Sequence, residues 1–178
     1  VLEVGAGLGT YSFFAADAGA ARVWAVEGDA VIHVAEAVAR LNGYGDSIEF
    51  FKGWIPEVWL PDRASVMIFE DFPPRLMDAR TYRLFGDLHD KYLTPEVRCV
   101  PSRALLYAAP VNAAFGVVST LAPLGNDGEF AYGIDWTPTR EYVTNTVFHL
   151  SIPTDALAAT PAVLAELSLS RQPAAEEV

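Results

Sequence analysis

Apolar positions in the first part of the chain fall into runs whose spacing alternates between strand-like and helix-like. Short apolar runs predict four strands, at Val1–Val4, Ala21–Glu27, Ser47–Phe51 and Ser65–Phe69. Helices are predicted at Thr10–Ala18, at residues 30–41 after an N-cap at Asp29, and at Thr81–Tyr92. A further strand or strand pair is predicted at Val97–Ala109. Strands that alternate with helices in this way predict an α/β fold with a doubly wound, mainly parallel sheet.

The pattern changes after Pro110. Strand-favouring residues dominate there, namely Tyr132, Trp136, Tyr142, Val143, Thr146, Val147 and Phe148. A helix is expected only from about Pro161. We therefore predict one domain at residues 1–110 and a partial, β-rich domain at residues 111–178. The chain starts inside an apolar strand without Met and ends without a closing element, so we expect truncation at both ends.

A cluster of three glycines separates the first predicted strand from the first predicted helix. Gly5, Gly7 and Gly9 would let a ligand approach the backbone closely and meet the helix N-terminus. The third glycine lies two residues after the second, whereas the dinucleotide fingerprint places it three residues after. The spacing therefore favours a nucleotide-like ligand other than NAD or FAD, against the alternative of a simple tight turn.

An acidic residue ends the second predicted strand. Glu27 follows the glycine cluster by about 20 residues, the spacing at which a carboxylate can accept both ribose hydroxyls. The alternative is that Glu27 is an exposed loop acid. Glycine loop, helix, second strand and terminal acid together predict a nucleoside-containing cofactor.

The run Glu3, Val4 and the three glycines resembles motif I of class I methyltransferases, where the loop faces the amino-acid part of S-adenosylmethionine. The resemblance implies that Glu3, the glycines and Glu27 bind this cofactor, which becomes S-adenosylhomocysteine. It also implies that Gly53 and, through apolar contact near the adenine, Ile55 take part.

Later segments resemble the protein arginine methyltransferases in particular. The segments are Ala15–Ala20, Val26–Glu27, Phe51–Gly53, Ser65–Glu70, Asp90–Pro95 and Pro101–Tyr107, with Tyr132–Asp135 and Tyr142–Thr144 similar to the start of that family's β-barrel. The resemblance implies that Glu70 is the first acid of a two-glutamate hairpin that holds the guanidinium of a protein substrate. It also implies a homodimer and the start of a C-terminal β-barrel-like domain.

The chain departs from this family at the second glutamate, whose position is occupied by Ala79. Asp78 and Asp71 are the candidates to replace it, although one residue along a helix turns a side chain by about 100°. Pro73 and Pro74 also stiffen the segment after Glu70. Two alternatives therefore stay open: a small-molecule N- or O-methyltransferase, and a catalytically silent methyltransferase fold that serves as a binding module.

Charge and composition limit the classes of molecule that the chain is expected to bind. The chain has 23 acidic and 12 basic side chains and a net charge of -11, which argues against nucleic acid and suits a cationic acceptor. The single cysteine, Cys99, allows no internal disulfide and fits a reducing cytoplasm. The apolar runs fall short of the roughly 20 residues of a membrane helix. We therefore expect no contact with a membrane. His33, His89 and His149 lack short ligand spacing, so we expect no bound metal either.

Overall fold

A computed structural model describes residues 1–72, 79–112 and 151–170 of the chain. The helices are α1 (Thr10–Asp17), α2 (Ile32–Leu41) and α3 (Ala79–Lys91), with a short 3-10 helix at Thr154–Ala156. The strands are β1 (Leu2–Val4), β2 (Val23–Glu27), β3 (Ile48–Lys52), β4 (Ala64–Phe69), β5 (Leu93–Val100), β6 (Arg103–Ala108) and β7 (Ala162–Ser168). No helix in these described stretches is long and apolar enough to cross a membrane.

The first five strands form one sheet in the order β3-β2-β1-β4-β5. All four neighbouring pairs are parallel, and the central strand β1 pairs through Val4 with Val26 on one side and Phe69 on the other. The chain winds outward from β1 to β3 and then returns to β4, so the strand order reverses between β1 and β4. This confirms the doubly wound sheet and places its topological switch point at that junction.

Successive residues of β2 point to opposite faces of the sheet and into two different clusters. Trp24 and Val26 belong to the larger core cluster, which also takes in the apolar side of α3, whereas Val23 and Ala25 belong to a smaller cluster packed by α1. Burial on both faces explains why the central strands read as nearly continuous apolar runs.

Two of the differences between the predicted and observed elements concern the start of α2 and the type of the last element. Asp29 accepts a hydrogen bond from the Val31 N–H at 3.1 Å, but the helix begins only at Ile32, because a tight turn comes first. The helix expected from about Pro161 is wrong, since Ala162–Ser168 is a strand that pairs with β6. Its Ala, Leu and Glu residues favour helices locally, and pairing with another strand overrides that preference.

The chain divides into two compact units, Val1–Leu106 with Ala165–Val178, and Tyr107–Leu164. In the first unit, the carbonyl of Leu169 accepts from the Cys99 thiol at 2.9 Å and lies 3.0 Å from Nε2 of His89. In the second, Val111 and Leu157 form an antiparallel bridge. A domain boundary at residue 110 stays a prediction.

Candidate active site

The glycine loop between β1 and α1 has a backbone that only glycine adopts readily. Gly5, Gly7 and Gly9 have φ angles of 73°, 53° and 79°. The N–H groups of Gly5 and Ala6 both donate to the carbonyl of Val26, at 2.9 and 3.0 Å, which ties the loop to β2. A Cβ atom built on Gly7 would meet nothing within 4 Å, so the space above the loop is open to a ligand.

Glu3 lies beneath this loop and is only 2% exposed. Its carboxylate accepts a hydrogen bond from the Ser12 hydroxyl. Burial raises the pKa of Glu3, while the hydrogen bonds from the Ser12 hydroxyl and from the backbone of Ser12 and Tyr11 act in the opposite direction. Glu3 therefore fastens β1 to the first turn of α1, and its direct contact with a cofactor stays a prediction.

The carboxylate of Glu27 bridges two backbone segments at the end of β2. Its Oε2 accepts from the Gly7 N–H at 2.9 Å, and its Oε1 accepts from the Asp29 N–H at 2.7 Å. Each carboxylate oxygen can accept two hydrogen bonds. Both oxygens therefore keep an acceptor position for a further donor, such as a ribose hydroxyl, while the backbone fixes their orientation.

The segment after β3 lies against the end of β2. The Gly53 N–H donates to the Glu27 carbonyl at 3.0 Å, and a Cβ atom on Gly53 would come within 2.5 Å of a Val58 methyl. Ile55 is half-buried and packs against the larger core cluster. Its role near an adenine stays a prediction, and the structure gives its side chain a core contact.

Trp54, which precedes Ile55, packs on the glycine that follows Glu27, a contact that the sequence did not predict. Its indole lies over Gly28, where an added Cβ atom would be 2.1 Å from the ring. The side chain is nevertheless 60% exposed. The only sequence signal was a glycine directly after the acid of β2, and that signal does not name the residue which packs on it.

The predicted catalytic acids follow β4, across the switch point from the glycine loop. Glu70 and Asp71 are both exposed. A Cβ atom built on Gly5 would lie 3.0 Å from Cβ and 3.5 Å from Oδ2 of Asp71, so this carboxylate adjoins the loop. Asp78 lies outside the described residues, and Ala79 is the first residue of α3.

Within the described parts of the chain, no group of three or more His, Cys, Asp or Glu residues could hold a metal ion.

Comparison with known proteins supports the resemblance. The chain is 30% identical over 175 residues to Protein arginine N-methyltransferase 6 of Danio rerio, covering 96% of this chain and 50% of that protein. It is 40% identical over 111 residues to Histone-arginine methyltransferase CARMER of Anopheles gambiae, covering 62% of this chain and 18% of that protein. No protein-family model matches the chain.

The fold has counterparts among solved structures. The PRMT1 enzyme-prozyme heterotetrameric complex of Trypanosoma brucei with AdoHcy matches with a TM-score of 0.82 at 22% identity, covering 95% of this chain and 52% of that one. The chain therefore has the fold of part of an arginine methyltransferase. It spans about half the length of the zebrafish relative.

Proposed function

We propose that this chain is the cofactor-binding part of an S-adenosylmethionine-dependent protein arginine N-methyltransferase. The observation that carries the proposal is the Glu27 bridge at the carboxyl edge of the sheet, in a chain that resembles a named arginine methyltransferase over 96% of its length. Ligands of doubly wound folds bind at this edge, beside the switch point.

The described residues fit S-adenosylmethionine. Open space above Gly7 leaves room for the amino-acid end of the cofactor at the glycine loop, and the free acceptor positions of Glu27 suit two ribose hydroxyls. The segment from Gly53 to Ile55 adjoins Glu27, on the side where the base would extend. When bound, the cofactor supplies a methyl group on a positively charged sulfonium.

The acids after β4 would hold the acceptor. An arginine guanidinium stays protonated at ordinary pH and presents five N–H donors in a planar fork. In our proposal the Glu70 carboxylate accepts from this fork and turns one nitrogen towards the methyl group. Methyl transfer to that nitrogen would form an N–C bond, break the C–S bond of the sulfonium and release one proton of the nitrogen to water. Placement of the reactants is the main contribution that the protein can make.

Asp71 is the better supported of the two candidates for the second acid. It adjoins Gly5 at the switch point, which puts a second carboxylate near the sites proposed for both reactants. Asp78 keeps its place as a candidate from the sequence alone. The net charge of -11 further suits an arginine-rich, cationic protein substrate.

The test uses the full-length protein that contains this chain, incubated with methyl-labelled S-adenosylmethionine and a whole-cell lysate. We expect label in the protein fraction, released as methylarginine on hydrolysis, and its loss with Glu70→Gln. Label confined to small molecules would contradict arginine transfer and favour a small-molecule methyltransferase. Cofactor binding without any transfer in lysates of several growth states would favour a binding module.

We further propose a homodimer in the cytoplasm. The resemblance to arginine methyltransferases supports the dimer, and the lone, buried Cys99 supports a reducing compartment. Light scattering of the full-length protein and imaging of a tagged copy would test these two proposals.

A further inference from the structure

The Trp54 indole fills the volume that a side chain at position 28 would occupy. A Cβ atom on Gly28 would lie 2.1, 2.3 and 2.5 Å from three ring atoms of Trp54, so the indole packs directly against the Gly28 backbone. The contact leaves much of the side chain accessible, since Trp54 remains 60% exposed. A large, flat, apolar surface is therefore presented next to the residue that follows Glu27.

Hydrogen bonds fix this placement on the backbone. β2 and β3 pair in parallel up to Glu27 and Lys52, and the Gly53 N–H then donates to the Glu27 carbonyl at 3.0 Å. The carboxylate of the same Glu27 is held by the N–H groups of Gly7 and Asp29. The indole and the proposed ribose acceptor are thus positioned from one residue, Glu27.

The order of the strands sets the direction of a nucleoside bound here. The glycine loop follows β1, Glu27 ends β2, and Trp54 follows β3, the next strand outward. A ligand with its amino-acid end at the loop and its ribose at Glu27 would extend its base towards β3. Every nucleobase has a π face that can stack on an aromatic side chain.

We infer that Trp54 is a positioning residue that stacks on the purine of the cofactor, and that Gly28 is needed because a side chain there would displace the indole. This inference rests on the proposed function. It adds a specific aromatic contact, which depends on the pairing of a tryptophan with a glycine at these two positions.

Trp59 offers a matched control. It belongs to the same segment, is 76% exposed and lines the same surface depression as Trp54, with Phe51, Lys52 and Val58. The three atoms nearest a Cβ on Gly28 all belong to Trp54, and none belongs to Trp59. Replacing Trp59 should leave the affinity for the cofactor product unchanged.

The experiment is calorimetric titration of the full-length protein with S-adenosylhomocysteine, with thermal unfolding as the check on folding. We expect Trp54→Ala to weaken binding by about 5- to 150-fold, the range for loss of one stacked base. Trp54→Phe should restore most of the affinity, Gly28→Ala should weaken binding as Trp54→Ala does, and Trp59→Ala should have no effect.

Fluorescence supplies a readout that a merely structural role would not change. Stacking on a purine quenches an indole, so ligand should quench the parent protein and the Trp59→Phe variant but not Trp54→Phe. Equal quenching in Trp54→Phe, or equal affinity losses in Trp54→Ala and Trp59→Ala, would overturn the inference. A parent protein that fails to bind S-adenosylhomocysteine would overturn the proposed function as well. A parent that binds, with Trp54→Ala unchanged, would overturn the stacking alone.

Discussion

The two halves of the sheet's carboxyl edge are built differently. At the ends of β1 and β2, Glu3 is buried under the glycine loop and Glu27 has a backbone N–H on each oxygen. After β4, Glu70 is exposed, and within the described residues its only hydrogen bond is from the Phe72 N–H to its carbonyl, at 2.7 Å. The protein itself therefore holds in place the side proposed for the cofactor. On the side proposed for the methyl acceptor, the Glu70 carboxylate is left for the substrate to orient.

The largest effect is expected on the acceptor side. Glu70→Gln removes the charge that would hold a guanidinium, and we expect methyl transfer to protein to fall by about 10²- to 10³-fold, as when one electrostatic contact is lost from an active site. The affinity for S-adenosylhomocysteine should not change, because Glu27 and the glycine loop are untouched. Initial rates and calorimetry on the same preparations measure both quantities.

Glu96→Gln is the control for this variant, because Glu96 is an exposed glutamate on β5, the neighbouring strand. It should leave both quantities at the parent values. If Glu70→Gln lost cofactor affinity in proportion to its rate, the division of the edge into two halves would be wrong.

Glu27 should show the opposite behaviour. In Glu27→Gln an amide NH₂ would face the N–H of Gly7 or of Asp29, since both carboxylate oxygens accept from the backbone. We expect the affinity for S-adenosylhomocysteine to fall by about 10- to 150-fold, the range for losing a hydrogen bond to a charged group. At saturating S-adenosylmethionine the transfer rate should recover most of its parent value.

The control is Glu49→Gln, an exposed glutamate on β3. An unchanged affinity for S-adenosylhomocysteine in Glu27→Gln, measured beside this control, would mean that Glu27 only holds the backbone of the loop and does not bind the cofactor.

The contrast between the two halves also explains what could be predicted from the sequence. The glycine loop and the acid at the end of β2 were predictable, because strand, turn and helix follow each other locally and each has its own spacing. The contacts of Trp54 with Gly28 and of Asp71 with Gly5 were not, because they join residues that lie far apart in the chain. Local propensity likewise predicted a helix near Pro161, where pairing with β6 makes a strand.

Glu3 predicts how stability varies with pH on the cofactor side. Burial raises its pKa in the folded protein above the ordinary value of 4.5, so the folded state binds the proton more tightly than the unfolded state. Its contribution to stability is therefore fully present below pH 4.5 and is lost as the pH rises through the raised pKa of the folded protein. Glu3→Gln cannot ionise, and it should become more stable relative to the parent over that rise.

Urea unfolding of the parent and of Glu3→Gln between acidic and neutral pH measures this difference. Ser12→Ala removes the side-chain hydrogen bond to the carboxylate. The free energy of unfolding of this variant should fall more steeply with rising pH than that of the parent. A difference between the parent and Glu3→Gln that stays constant with pH would show that the burial of Glu3 does not govern its ionisation.

The smallest effect is expected far from both halves, at the start of β4. The Arg63 guanidinium donates to the carbonyls of His89 and Leu93, at 3.2 and 2.7 Å, and to that of Asp90, so it caps the C-terminal end of α3. Arg63→Ala should lower the free energy of unfolding by about 1 kcal/mol, because the bonds to His89 and Asp90 are exposed and compete with water. Arg98→Ala, an exposed arginine on β5, is the control and should be neutral. Neither variant should alter S-adenosylhomocysteine affinity, because both residues lie away from the glycine loop and Glu27. A loss of affinity in Arg63→Ala would mean that the carboxyl edge depends on how α3 is anchored.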